Sequence, residues 1–501
     1  MNPLYDRLFG AHAGRDTVFL TLPDGSTLTH AAFLDRAARF ANALTGLGLQ
    51  TGDRVAVQID KSADALAVYA ACARAGLVFL PLNTAYTPSE VDYFVSNSGA
   101  GLLVAAPSKA EALRPVASAA GARLETLGDH GDGTLAALAD AANADFTTVN
   151  RNLTDLAAIL YTSGTTGRSK GAMLSQGNLL SNAEVLRDHW RFTAEDVLLH
   201  ALPIFHTHGL FVGTNITLLA GGSMIFLPKL DIDALVKWMP QSTTMMGVPT
   251  FYTRLLDDPR LNRDLTRNMR LFISGSAPLL ADTHRQFEDR TGHRILERYG
   301  MTETNMNTSN PYEGDRRPGT VGPALPGVEV KVCGPDGTEV PRGEVGILEV
   351  RGPNVFMGYW QMPEKTKEEL RADGFFITGD LSTMGEDGYV TIVGRGKDLV
   401  ISGGFNVYPK EVEEVIDELS GVLESAVIGA PHPDLGEAPV AVVVPEKGMA
   451  LDAETILQGI APSLARFKQP RKVVIVDALP RNTMGKVQKA QLRETYKDSF
   501  K

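Results

Sequence analysis

The segment 161–171 (YTSGTTGRSKG) concentrates side chains that could bind a polyphosphate. Its five Ser/Thr hydroxyls can donate hydrogen bonds, its three glycines let backbone N–H groups approach phosphate oxygens, and its two cations can balance charge. The spacing of a Walker P-loop is absent. The sequence therefore predicts a phosphate-binding loop of another kind. Its candidate contacts are Thr162, Ser163, Gly164, Thr165, Thr166, Gly167 and Lys170.

Other segments further along the chain have the composition of a nucleotide site. Segment 274–278 (SGSAP) follows a predicted strand, where the ligands of α/β sheets usually bind. Segment 298–304 (RYGMTET) offers an aromatic ring, hydroxyls and a carboxylate, and 378–380 (TGD) offers an acid after a predicted tight turn. Arg395 follows a predicted strand by two residues, and 479–486 projects Lys486 from a glycine-containing loop. Each segment alone also fits a turn, a cap or a solvated charge.

Alternating helical and strand-like patterns predict that an α/β framework positions these segments. The first 150 residues show a βα rhythm, which predicts a mostly parallel sheet, and a second βα series follows the phosphate loop. From residue 319 onward, short strands between Gly and Pro turns predict a small β-rich subdomain. The fold class is therefore α/β, with a large N-terminal domain of layered sheets and a small mobile α+β C-terminal domain.

In this order, the motifs resemble those of the adenylate-forming superfamily of acyl-CoA synthetases, adenylation domains and beetle luciferases. The resemblance covers nearly the whole chain. It implies an AMP-binding domain over 1–394, a hinge over 395–398 and a catalytic lid domain over 399–501. It also implies that ATP and Mg²⁺ activate a carboxylic acid as acyl-AMP, and that coenzyme A then displaces AMP.

The resemblance further implies a role for each motif. Thr302 lies near the α-phosphate, Glu303 is the magnesium ligand, and Lys486 is the mobile catalytic lysine. Because the incoming thiol needs the path that Lys486 obstructs, a rotation at Lys397 is expected between the two half-reactions. The remaining nucleotide or thiol contacts are Gly275, Ser276, Ala277, Glu297, Arg298, Tyr299, Gly300, Met301, the ribose ligands Asp380 and Arg395, and the tunnel glycines Gly403 and Gly404.

The predicted acyl pocket has polar walls, which favours a short dicarboxylate. Arg254 lies at helical spacing from the residues after Val248, and a guanidinium in a pocket wall could bind a second carboxylate bidentately. A solvent-facing arginine is the alternative. The other predicted contacts are His206, Thr207, Ser276 and Met306. This set resembles malonyl-CoA synthetases, whose substrates are malonate and often methylmalonate.

Composition narrows the range of partners. The net charge of −11 argues against nucleic acid or an anionic membrane as the main partner. Two distant cysteines and the lack of a signal-peptide pattern at the N-terminus predict a cytoplasmic protein with two buried thiols. A lysine acetyltransferase acting on Lys486 is a further partner that the resemblance implies.

Several alternatives remain open at the level of sequence. The chain could be a synthetase of another small acid, a stand-alone adenylation enzyme that loads a carrier protein, or a luciferase-like oxygenase. Coenzyme A is favoured over a carrier because the sequence ends fifteen residues after Lys486. A non-catalytic acyl sensor would be expected to lack Lys486 or Glu303, and both are present.

Overall fold

The computed structural model describes residues 1–162, 169–402, 405–464, 466–482 and 485–500. The predicted contacts at positions 163–167 and at Gly403 and Gly404 lie outside the described residues.

The strands and helices are numbered in chain order. The strands are β1 (Val18–Thr21), β2 (Thr27–Thr29), β3 (Arg54–Gln58), β4 (Val78–Pro81), β5 (Leu102–Ala105), β6 (Arg123–Thr126), β7 (Leu156–Thr162), β8 (Lys170–Ser175), β9 (Val197–His200), β10 (Ser223–Phe226), β11 (Thr244–Gly247), β12 (Leu271–Ser274), β13 (Leu296–Met301), β14 (Asn305–Ser309), β15 (Glu329–Cys333), β16 (Gly346–Arg351), β17 (Phe376–Met384), β18 (Val390–Arg395), β19 (Val400–Ser402), β20 (Phe405–Val407), β21 (Val422–His432), β22 (Gly436–Pro445) and β23 (Lys472–Ile475). The α-helices are α1 (Pro3–Leu8), α2 (His30–Gly46), α3 (Ala63–Ala75), α4 (Pro88–Ser98), α5 (Ala110–Ala119), α6 (Thr134–Ala141), α7 (Gln176–His189), α8 (Asn215–Ala220), α9 (Ile232–Trp238), α10 (Pro249–Asp257), α11 (Ala281–Thr291), α12 (Pro363–Glu369), α13 (Pro409–Asp417), α14 (Ala453–Ile460) and α15 (Lys489–Tyr496). Short 3₁₀ turns cover Gly10–His12, Pro107–Lys109, Met239–Gln241 and Gly396–Asp398, and a π-helix covers His208–Thr214.

Two mixed sheets form the N-terminal layers. One has the strand order β6-β5-β3-β4-β7-β8 and is parallel up to β7, whereas β7 and β8 are antiparallel. The other has the order β14-β13-β12-β11-β9-β10-β1-β2 and is parallel except at its two ends. Helices cover both sheets because their strands are apolar on both faces. The predicted α/β class is confirmed.

Two further sheets complete the chain. Strands β15 to β18 form an antiparallel sheet, which is the predicted β-rich subdomain. Strands β19 to β23 form the C-terminal sheet, whose two faces bury separate apolar clusters. The first sheet of this pair ends at Arg395 and the second begins at Val400, with a 3₁₀ turn between them. The exact domain boundaries, including the 395–398 hinge, stay predictions.

Two local predictions are wrong in detail. Asp380 does not follow a tight turn but lies inside β17, where Gly379 takes a positive φ of 73° and the strand remains paired with β18. Arg395 is the last residue of β18, so the strand runs further than predicted. In both places the pairing of β17 with β18 continues the extended chain through residues whose local composition is typical of turns.

Cys72 and Cys333 are both buried free thiols, as predicted. Within the described ranges, the chain forms no helix with the length and hydropathy needed to cross a bilayer.

The loop after β14 allows a test of backbone packing. Gly322 has a φ of 75°, and a Cβ there would lie 2.1 Å from the backbone of Ser309. We expect Gly322→Ala to lower stability by about 3 kcal/mol, because left-handed strain is added to a backbone overlap. Gly319 is the matched control, since its φ is 79° but nothing lies within 4 Å of its Cβ position.

Calorimetric melting of both variants checks this. Gly319→Ala should cost only about 1 kcal/mol, the left-handed penalty alone. Equal melting temperatures for the two variants would contradict the packing argument.

Candidate active site

The predicted ribose ligands meet around one carboxylate. Asp380 is buried on β17, and its Oδ2 accepts a hydrogen bond of 2.5 Å from the hydroxyl of Tyr299. Its Oδ1 lies 2.8 Å from Nε of Arg395, the partner residue across the strand pair. Burial, together with this carboxylate, raises the pKa of Tyr299 well above its ordinary value, so the phenol stays a donor. The cluster can present a fixed carboxylate to a diol.

A second cluster surrounds Glu303. Glu303 is buried, and burial raises the pKa of its carboxyl. The hydroxyl of Tyr359 lies 3.0 Å from Oε1 of Glu303 and 2.6 Å from Oε2 of Glu369. Nζ of Lys170 lies 3.0 Å from the same Glu369 oxygen and 4.2 Å from the centre of the Tyr359 ring. Tyr359 and Glu369 were not predicted from sequence; only the fold brings them to Lys170.

The donor set at Glu303 fits a magnesium ion. Mg²⁺ usually takes one or two carboxylates together with phosphate oxygens and water, not a complete protein cage. In keeping with this, the described residues contain no group of three or more His, Cys, Asp or Glu side chains arranged to hold a metal. Glu303 would supply the protein ligand, next to the lysine at the foot of the predicted phosphate loop.

The ends of that loop are held by a strand pair. β7 and β8 are antiparallel, and Thr162 stands opposite Lys170 in the register. The loop therefore begins and ends where β7 and β8 pair, with Lys170 near Glu303. Direct contacts from 163–168 stay a prediction.

Lys486, in the C-terminal domain, lies near the clusters at Asp380 and Glu303. A Cβ on Gly485 would lie 3.4 Å from Oγ1 of Thr250, so the loop rests on the beginning of α10. Removal from water, with Arg395 close by, lowers the pKa of Lys486, while the charges of Asp380 and Glu303 raise it. Lys486 is nevertheless exposed to solvent. Its charge therefore acts on the same space as the two clusters above.

The hinge prediction concerns Lys397, which lies in the 3₁₀ turn between the two sheets. Removal from water, with Arg395 adjacent, lowers its pKa to about 8. Asp398 of the same turn pairs with Arg493 of α15 at 2.7 Å, which ties the turn to the C-terminal domain. That this turn is the pivot stays a prediction.

Arg298 places a buried guanidinium in the site. It is only 3% exposed, and its guanidinium packs on Gly275, where a Cβ would lie 2.4 Å from Cζ. Its Nε and Nη2 are buried and have no hydrogen-bond partner among the described residues. Burial lowers its pKa to about 9, so the side chain is still charged at neutral pH. A buried cation of this kind calls for an anion.

Strand alternation places Arg298 and Tyr299 on opposite faces of β13. Successive side chains of a strand point to opposite faces, so Arg298 and Gly300 share the face opposite Tyr299. A Cβ on Gly300 would lie 2.5 Å from Cε of Met306, which is 1% exposed. The sequence prediction grouped Arg298 with the nucleotide contacts, and that contact stays a prediction; strand alternation is the signal that separates its face from that of Tyr299.

Histidines and hydroxyls line the space beside Arg298. Removal from water, with Lys486 and Arg298 near, lowers the pKa of His206 to about 3. His208 is fully buried, and its Nδ1 lies 3.3 Å from Oγ of Ser276. Ser276 has a φ of 71°, a strained conformation for a non-glycine residue that is common at functional sites. Thr207 donates to Oδ1 of Asn305 at 2.7 Å, so its hydroxyl proton is already used.

The prediction for Arg254 is wrong. Arg254 is exposed and lies in a surface groove with Asp231, Asp233 and Asp257. The buried face of α10 is set by Phe251, Tyr252 and Leu255, and Arg254 projects from the other side. Spacing alone placed it beside Thr250, but the apolar residues decide which face of the helix turns inward.

The remaining predicted contacts are placed as follows. Gly275 and Ala277 follow the end of β12, and Met301 ends β13. Glu297 is buried, and its carboxylate contacts the ring of His284 at 3.3 Å and the amide of Gly319 at 3.2 Å. A nucleotide contact through these four residues, or through Thr302, stays a prediction.

Comparison with known proteins gives consistent matches. Residues 10–360 match the family described as AMP-binding enzyme, and residues 411–486 match the AMP-binding enzyme C-terminal domain. A feruloyl-CoA synthase of Amycolatopsis sp is 37% identical, with 94% of each chain covered. A malonate–CoA ligase of Arabidopsis thaliana is 34% identical, covering 90% of this chain and 79% of that protein. The crystal structure of ATP-bound MatB from Rhodopseudomonas palustris is 60% identical, covers 100% of both chains and has a TM-score of 0.98.

The depressed pKa of His206 gives a testable prediction. Its imidazole should stay neutral between pH 5 and 8, because protonation would place a third cation beside Lys486 and Arg298. ¹⁵N NMR of histidine-labelled protein, with His206→Gln to assign the signal, should show no titration in this range.

An exposed imidazole should titrate near pH 6.5 in the same spectra and serves as the internal control. A midpoint for His206 near 6 would contradict the geometry, since it would require the ring to face bulk water.

Proposed function

The chain belongs to the AMP-binding enzyme family, and we propose that it is the member that ligates malonate to coenzyme A. As a member of this family it is an AMP-forming acyl-CoA synthetase, and it uses ATP, Mg²⁺ and coenzyme A. Methylmalonate, which differs by one methyl group, is the first variant substrate to compare.

The observation that carries the proposal is the buried guanidinium of Arg298. A charge in a low-dielectric pocket is costly unless it is paired, and the described residues supply no hydrogen-bond partner for its Nε and Nη2. The distal carboxylate of a short diacid would supply both the charge and the two acceptor oxygens that a guanidinium fork matches. Malonate is short enough to place its other carboxylate towards Lys486.

The same feature disfavours the substrates of other relatives. An aromatic or fatty acyl tail would leave the guanidinium buried and unpaired against an apolar group. A feruloyl-CoA synthase therefore shares the fold with this chain but would need a different pocket end. The malonate–CoA ligase of Arabidopsis thaliana is a relative whose name agrees with the pocket.

The proposed first step uses positioning and fixed charge. A carboxylate oxygen of malonate attacks the α-phosphorus of ATP, a P–O bond forms, and pyrophosphate leaves with the pair of electrons from the broken bond. Lys486 stabilises the charge that builds on the phosphoryl oxygens, and Asp380 and Tyr299 hold the ribose. Magnesium bound at Glu303 would neutralise charge on the phosphates.

The second step makes the thioester. The thiolate of coenzyme A attacks the acyl carbon of malonyl-AMP, and AMP leaves. Arg298 keeps the far carboxylate fixed while the acyl carbon reacts, so the same contact serves both steps. Lys486 and its loop must withdraw for the thiol to enter, which gives the C-terminal domain its proposed rotation.

The substrate proposal is tested by substitution at Arg298. We expect Arg298→Ala to lower kcat/KM for malonate about a hundredfold, the cost of leaving one partner of a buried ion pair alone. Arg298→Lys should recover little, because an ammonium cannot form the two-pronged contact. Butyrate, which is neutral at its far end, should react poorly in the wild type and no worse in Arg298→Ala.

The measurement is pyrophosphate release over acetate, butyrate, malonate, methylmalonate, succinate and octanoate, with and without coenzyme A. Arg254→Ala is the matched control and should leave the malonate rate unchanged, because that guanidinium is exposed. A parallel loss for malonate and butyrate in Arg298→Ala would indicate a structural role. Preference of the wild type for octanoate would refute the malonate assignment.

Substitution at Lys486 tests the order of events. Lys486→Ala should slow acyl-AMP formation by about a hundredfold or more, since it removes a cation aimed at the transition state. Thioester formation from supplied malonyl-AMP should change little, because the lysine is proposed to act only before the rotation. Acetylation by a lysine acetyltransferase, which also removes the charge, is predicted to act in the same way.

Rapid-quench measurement of the two half-reactions separates these outcomes. Equal losses in both would show that Lys486 works throughout the cycle, and the proposed rotation would then need another basis.

A further inference from the structure

Lys61 is a half-buried lysine that packs against the end of β9 and the residues that follow it. It lies between β3 and α3, and its Nζ is 2.8 Å from Nδ1 of His200 and 2.9 Å from the backbone oxygens of His200 and Leu202. The ammonium also lies 4.3 Å from the centre of the Phe226 ring. Within the described part of the chain, Lys61 forms no ion pair with a carboxylate. Its hydrogen-bond partners are backbone carbonyls and one imidazole, and burial lowers the pKa of Lys61 well below its ordinary value.

The contacts of His200 define its tautomer. Its Nε2 lies 2.8 Å from the carbonyl oxygen of Gly209. A carbonyl oxygen can only accept, so Nε2 carries the proton and donates it. Nδ1 of the neutral ring must then accept, and Lys61 supplies that donor. Burial and the charge of Lys61 lower the pKa of His200 well below its ordinary value, which keeps the ring neutral.

Gly209 connects these hydrogen bonds to the segment 203–209. Its carbonyl also accepts from Oγ1 of Thr214 at 3.0 Å, inside the π-helix. A Cβ on Gly209 would lie 2.1 Å from the oxygen of Pro203, so the backbone is closed tightly at both ends of the segment 203–209. That segment carries His206 and His208, the imidazoles beside Arg298. A π-helix at this place is itself typical of functional sites.

We propose that Lys61 is a positioning residue for the acyl pocket, acting through His200 on the Gly209 carbonyl. The two hydrogen bonds in series fix the path of 203–209, and through it the places of His206 and His208 against the acyl group. Lys61 itself touches no substrate. The inference rests on the proposed pocket at Arg298, but not on malonate being the acid that fills it.

The test compares the effect of one substitution on KM for the acid with its effect on KM for ATP. Lys61→Met keeps the side-chain length but removes the donors, and it should raise KM for the acid about tenfold, the effect of one lost hydrogen bond to a charged group. KM for ATP should not change, because among the described residues no hydrogen bond or ion pair joins the clusters at Asp380 and Glu303 to 203–209. The acid used is the one that the wild type prefers in the substrate panel, so a wrong malonate assignment does not affect this test.

Lys109→Met is the matched control. Lys109 also donates to a backbone carbonyl, that of Thr84, but outside the acyl pocket. It should leave both Michaelis constants unchanged, whatever its effect on melting temperature. A rise in both constants for Lys61→Met, or in neither, would overturn the proposal in favour of a purely structural lysine.

Two more variants test the route of the effect. If Lys61 acts through His200, then His200→Gln should raise KM for the acid as well, and the double variant should be no worse than the more damaging single one. Additive effects would overturn the route. If Lys61→Met does not fold, Thr214→Val removes the other donor to the Gly209 carbonyl with little change in volume. An unchanged KM for the acid in Thr214→Val would then overturn the proposal.

Discussion

A buried positive charge is the constraint on which the pocket depends. The guanidinium of Arg298, on β13, packs against Gly275 after the end of β12, and two of its nitrogens lack partners among the described residues. The packing of the domain must offset this desolvation, because no carboxylate in the described part of the chain forms an ion pair with Arg298. A ligand that supplies the missing anion would pair with the guanidinium, and this pairing would contribute to the free energy of binding. The proposed selectivity for a diacid would then follow from this unpaired charge in the free enzyme.

Side chains on the two faces of β13 belong to different parts of the site. On β13, Tyr299 turns to Asp380, while Arg298 turns to the opposite face. In the function proposed above, nucleotide and acid would therefore approach the same short stretch of chain from opposite directions. Their reacting atoms would then meet near its end, where Glu303 follows and where Lys486 is proposed to act. The arrangement makes the relative placement of the two substrates a property of a single strand and not of several loops.

The sequence predicted the fold class and the family, because both depend on local patterns: the periodicity of apolar residues and the order of short motifs. The strand predicted before segment 274–278 is present as β12, because an apolar run that ends at a glycine defines it. Arg254 was misplaced because its spacing fits the pocket, whereas the inward face of α10 is chosen by long-range packing of its aromatic residues. The contact of Lys61 with His200 and that of Glu369 with Lys170 could not be predicted, because each joins residues more than a hundred positions apart in sequence.

The close approach of Arg298 to Gly275 has a consequence for how such pockets diverge among relatives. Any side chain at position 275 would occupy the space of the guanidinium, and loss of the guanidinium would leave a void that a larger residue at 275 could fill. Neither change alone is favourable: one overlaps with the arginine and the other opens a cavity. We therefore expect the two positions to covary across homologous chains, with glycine accompanying arginine and bulkier residues accompanying its replacement. Acid preference would then depend on both residues together. A change of substrate during evolution would pass through a single variant that uses both acids poorly.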